Sequence, residues 1–83
     1  MDNYGKASFA MMSRLKPFFQ CAQIKESDVW EYLKASRGNK TSRADFTDED
    51  WAIVHSRLFT AVWFPSVRVS LIEEVKKFLK VAN

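Results

Sequence analysis

His55 and Cys21 are the side chains of this sequence best suited to base and nucleophile chemistry near neutral pH, and each residue type occurs once. An imidazole and a thiol held in hydrogen-bonding reach would make a nucleophilic pair. Nothing in their spacing brings these two together. His55 follows Val54 in an apolar stretch, and Cys21 has the apolar setting in which a cysteine acts as a small core residue. The carboxylates Asp45, Asp48, Glu49 and Asp50 form a second group that could hold a cation. They lack the alternating ligand pattern of a calcium loop, whereas acidic residues beginning a helix offset its dipole. One cysteine and one histidine supply neither a disulfide framework nor an ordinary zinc set, and no glycine-rich phosphate loop is present. The expectation is a non-enzymatic chain with no metal and no cofactor.

Two groups of cations could instead meet phosphate. Lys34, Arg37, Lys40 and Arg43 follow one another with no acidic residue between them, and Asn39, Thr41 and Ser42 add hydrogen-bonding groups. Lys76, Lys77 and Lys80 form the second group. The stretch around the first group is roughly ten residues, too long for the three- or four-residue turn of a helix-turn-helix, so contact with a nucleic-acid backbone is the form this binding would take. A solvated basic surface explains the same residues.

Aromatic side chains are the third resource. The chain has 3 Trp, 2 Tyr and 7 Phe, generous for its 83 residues. Either they fill the core or some of them form a docking face, because Trp, Tyr, Met and Arg are enriched at protein interfaces. Trp63 and Phe64 are the expected anchors, since they end an apolar helix just before Pro65, and Arg57 and Arg68 are the expected polar rim.

The elements that position these residues read as four helices. Met11, Leu15, Phe18 and Ala22 recur at helical spacing and predict a first helix over about 6–24, with a kink or break at Pro17. Ser27 or Asp28 is expected to cap a second, short helix whose apolar face is Val29, Trp30 and Leu33 and whose end is Gly38. Thr47, followed by Asp48, Glu49 and Asp50, caps a third helix over about 48–64. Its apolar residues, Trp51, Val54, Leu58 and Val62 with Ile53, Phe59 and Trp63 beside them, make it the expected centre of the core. After Pro65, Ser66 or Ser70 opens the last helix; Ser70 and Glu73 have the spacing of a capping box. Val67-Arg68-Val69 alternates and could be helical or extended.

Length and composition agree with this reading. Eighty-three residues make one domain, and 2 Gly with 2 Pro are too few for a loop-rich β-sandwich. The expected fold is therefore an all-α bundle of about four helices forming a single domain over residues 1–83. The net charge of +3 is compatible with nucleic acid or an acidic peptide and requires neither. The longest apolar run, Ala61 to Phe64, is far short of the roughly 20 residues that cross a bilayer, so an intracellular location without a membrane partner is expected.

Residues Asp28 to Lys34, the polar loop after them, and Ser42 to Trp51 resemble the helical C-terminal segments of phage single-strand-annealing recombinases. In those segments a short helix, a basic loop and a capped helix recur. The likeness covers about residues 26–58; Phe46 stands where the family often has leucine, and residues 59–83 have no counterpart. Such tails bind recombination partners, including exonucleases and the acidic tail of single-strand-binding protein. What the resemblance implies is partner binding; the annealing domain is missing, so annealing is not implied. Two functional classes follow. One is a protein-interaction module, perhaps a phage-type accessory or inhibitory protein acting on a nucleic-acid-processing partner, or one that self-associates. The other is a small nucleic-acid-binding protein using residues 34–43 and the last helix's lysines.

Overall fold

In the computed structural model, which describes residues 4–82, the chain folds into four α-helices and one short 3-10 turn: α1 (Tyr4–Cys21), α2 (Glu26–Ser36), a turn at Arg43–Asp45, α3 (Asp48–Trp63) and α4 (Pro65–Ala82). Among the described residues there is no strand, so the fold is the expected small all-α bundle. α3 packs against α1 on one side and α4 on the other, while α2 bridges α4 and α1. α1 and α3 run in the same sense, because Gly5 lies against Trp51 and Arg14 reaches Trp63. The Cα extent along the thinnest axis is 17 Å, room for two layers of helices at their usual 8–10 Å spacing. In two layers every helix keeps an outer face, so an aromatic-rich chain cannot hide all its rings.

The core is Met12, Leu15, Phe19, Ile24, Val29, Trp30, Leu33, Phe46, Val54, Leu58, Ala61, Leu71 and Val75. Leu58 is fully buried in α3, the helix flanked on both sides, which agrees with its expected central place. In α1 the buried stripe is Ser8, Met12, Leu15 and Phe19, turned from the expected Met11, Leu15, Phe18 and Ala22. Phe18 is exposed. α1 is apolar on several sides, so periodicity alone does not select which side meets α3.

Pro17 sits inside α1 and does not break it. The ring lies on the exposed side, and the carbonyl it leaves unserved belongs to exposed Ser13, where water can reach. α1 ends earlier than expected because Gln23 takes a left-handed conformation (φ 62°) and the Ile24 amide donates back to the Phe19 carbonyl at 2.9 Å. This is a Schellman ending, with Ile24 and Phe19 both buried beneath it.

Neither Ser27 nor Asp28 is the first cap of α2. The helix begins after Lys25, and Asp28 reaches back to accept the Lys25 amide at 3.1 Å. Gly38 does end it, at φ 84°, followed by a second left-handed residue, Asn39. The amides of Asn39 and Lys40 then return to the carbonyls of Ala35 and Lys34.

Thr47 caps α3 as expected: its hydroxyl accepts the Asp50 amide at 3.1 Å, and the Asp50 carboxylate accepts the Thr47 amide at 3.0 Å. The start of α4 differs from the expectation. Pro65 is its first residue, where a proline's fixed φ and missing amide suit a helix. Val67-Arg68-Val69 is therefore helical, and Ser66 and Ser70 lie within the helix instead of opening it. Only Phe64, in extended conformation, separates α3 from α4.

Candidate interaction surface

The Cys21–His55 pair is not assembled. His55 stacks on Tyr4 at one end of α1 (ring centroids 5.3 Å apart), and Cys21 is the last residue of that 18-residue helix, about 25 Å away at 1.5 Å per residue. Cys21 is exposed at its helix end, not part of the core. Among the described residues no group of His, Cys, Asp and Glu is placed to hold a metal ion. Asp45 instead accepts the Thr41 hydroxyl at 3.0 Å, and Asp50 belongs to the α3 cap.

The four cations of the polar loop are held by the chain itself. Lys34 pairs with Glu31 at 2.7 Å. Arg37 and Lys40 both approach Asp50, at 2.9 and 3.5 Å. The guanidinium of Arg43 lies over two rings, 4.9 Å from Trp30 and 5.1 Å from Phe9. That contact closes an aromatic cluster in which Phe9, Trp30, Trp51 and Phe46 touch in succession. Asp50 is nearly buried under this loop. The Thr47 amide, with help from Arg37 and Lys40, holds its carboxyl down to about 2. The loop's positive charge thus serves to fasten α2 to the start of α3. Lys76, Lys77 and Lys80, by contrast, are exposed on α4 and form no ion pair with another described residue.

Arg57 and Arg68, the expected rim, are also engaged. Arg57 donates to Glu74 at 2.8 Å and to the Tyr32 hydroxyl at 3.2 Å, and Tyr32 hydrogen-bonds Glu74 in turn, which ties α2, α3 and α4 together. Burial, and then the bond to Glu74, push the Tyr32 hydroxyl above its ordinary pKa; Arg57 holds the Glu74 carboxyl below its own. Arg68 reaches back from α4 to the end of α3 and donates to the carbonyls of Ala61 and Val62 at 3.0 and 2.9 Å.

Trp63 and Phe64 are each about half exposed, at 54%. Trp63 is part of a larger surface. His55, Phe59 and Trp63 are spaced four residues apart and stack in turn along one side of α3, with centroids 5.8 and 6.2 Å apart. Tyr4 extends the row past His55. Arg14 of α1 lies 5.5 Å over the Trp63 ring, and one turn further on Phe18 lies under Arg68 at 3.9 Å. Tyr4, Phe18, Phe59 and Trp63 are all 42% exposed or more. The result is an unbroken row of exposed rings across α1 and α3 with arginines at one end. The i, i+4, i+8 spacing of His55, Phe59 and Trp63 was visible in the sequence; the partnership with Tyr4 and Arg14 was not, because it depends on how α1 lies on α3. The chain matches no known family model, no curated protein and no solved structure. No helix among the described residues is long and apolar enough to cross a membrane.

Proposed function

We propose that this chain is a small, non-catalytic protein-interaction module that docks through the aromatic row of α1 and α3. The observation that carries this reading is the row itself: Tyr4, Phe59, Trp63 and Phe18 stay exposed in one connected strip while the core is filled by other residues. Exposed rings joined in this way mark interaction sites, and Trp is the most frequent anchor at them. The resemblance of residues 26–58 to recombinase tails supports a partner that processes nucleic acid, with an accessory or inhibitory role of the phage type in DNA recombination. The test is to immobilise the full chain, capture partners from the native cell and identify them by mass spectrometry. Trp63→Ala and Phe59→Ser, checked by circular dichroism to be folded, should each lose the captured partner. Full retention by both variants would refute the reading.

A second reading rests on Lys76, Lys77 and Lys80, which are exposed and without ion pairs among the described residues. Backbone binding to nucleic acid through them would show a steep fall of log K with log salt, as phosphate contacts release counterions. Replacing the three lysines with glutamine should flatten that slope; the aromatic variants should leave it unchanged.

A further inference from the structure

The aromatic row is electrically polarised. At one end Arg14 lies on Trp63, and no carboxylate among the described residues pairs with it. At the other end Asp48 and Glu49 are exposed in the first turn of α3 with no cation paired to them. Asp48 shares the side of α3 that carries His55 and Phe59, being seven and eleven residues before them. The two ends of α3 are about 22 Å apart, at 1.5 Å per residue over the fifteen steps from Asp48 to Trp63. The unpaired charges are therefore opposite in sign and separated by a strip of rings.

From this polarity we propose that the occupant of the aromatic row is a second copy of the chain, related by a two-fold axis passing near His55 and Phe59. A two-fold axis there places the Asp48 end of one copy against the Arg14 end of the other, twice per dimer. Such an interface is isologous: one patch, self-complementary in both shape and charge. Rings from the two copies then cover each other at the centre, and each unpaired charge meets an opposite one at the rim. A partner of single charge sign would satisfy only one end of the strip. The proposal rests on the row being an interface, and it adds the identity of what fills it.

Sedimentation equilibrium of the full chain tests it. The wild type should change with concentration from the 9.7 kDa chain mass to twice that mass. Arg14→Glu and Asp48→Lys should each weaken self-association by at least about tenfold, since each puts like charges together at both rims. An equimolar mixture of the two variants should dimerise again, because both rims of the mixed dimer then carry opposite charges. Phe59→Ser should leave the chain monomeric with its helical circular dichroism intact. A wild type that stays at the chain mass throughout, or a mixture no more associated than its parts, overturns the second copy. If the monomeric wild type still captures a partner that Trp63→Ala loses, the docking row stands and only the second copy falls. If dimers form and survive both Phe59→Ser and Trp63→Ala, the row is not the interface and both readings fall.

Discussion

The guanidinium of Arg68 lies 3.9 Å over the ring of Phe18 while its Nε and Nη2 donate to the last carbonyls of α3. One side chain from α4 thus closes the end of α3 and stacks on α1. The last carbonyls of a helix have no amides of their own to accept, and only Phe64 separates the two helices, which leaves no room for a capping loop. Arg68→Met keeps the apolar stem and removes the donors. It should destabilise the fold by about 1–3 kcal/mol, the usual cost of leaving partly buried groups unpaired. Urea denaturation measures this, and an unchanged midpoint would mean that water serves those carbonyls equally well.

Leu58 and Trp63 separate core from surface on a single helix. Leu58 is fully buried, so Leu58→Ala should cost about 2–5 kcal/mol through lost burial and the cavity left behind. Trp63 is half exposed, and Trp63→Ala should leave the urea midpoint much closer to the wild type. If Trp63→Ala proved as damaging as Leu58→Ala, Trp63 would be a core residue and the aromatic row would lose its anchor.

Asp50 makes stability depend on acid. Its folded pKa, held to about 2 by the Thr47 amide and the neighbouring cations, lies below the usual value of 3.8. A depressed carboxylate pKa contributes stability that is present above the unfolded value and lost as pH falls toward the folded one. The loss should therefore run from about pH 4 down to about 2. Asp50→Asn should be less stable than the wild type at pH 7 and should lose less on acidification through that window. Denaturation midpoints at pH 7, 4 and 2.5 decide it: equal acid sensitivity of the two proteins would assign the effect to other carboxylates.

The helix caps show what was legible in the sequence. Thr47 and Gly38 were readable because each acts on amides or dihedrals within a few residues of itself. Ser70 and Glu73 have the same local signature, yet they lie inside α4, because Pro65 and Arg68 start that helix five residues earlier. The decisive bonds there run from Arg68 to the preceding helix, and no local pattern reports them. The same holds for the surface. The exposed state of Trp63 and Phe64 was foreseen from their place before Pro65, and their flanking arginines were named as a rim. Arg57 and Arg68 are instead spent on Glu74, Tyr32 and the α3 carbonyls, while Arg14, 49 residues from Trp63 in the chain, is the cation that lies on it. Contacts between cations and rings set by tertiary packing leave no periodic trace.

Ser8 marks where the core of α1 can be improved. It belongs to the buried stripe with Met12, Leu15 and Phe19, and its hydroxyl oxygen has no hydrogen-bond partner among the described residues. A buried hydroxyl without a partner costs about 1–3 kcal/mol of desolvation. Serine is also a weaker helix former than alanine, by a few tenths of a kcal/mol. Against these, Ser8→Ala removes one oxygen atom, and the small void loses some van der Waals contact. The first two effects outweigh the third, so Ser8→Ala should stabilise the protein by about 1 kcal/mol. Ser8→Val, which adds volume to a filled site, should destabilise it. The urea midpoints of the two variants should then move in opposite directions from the wild type. A lower midpoint for Ser8→Ala would show that the hydroxyl has found a partner, and that the stripe on α1 is held by a hydrogen bond as well as by packing.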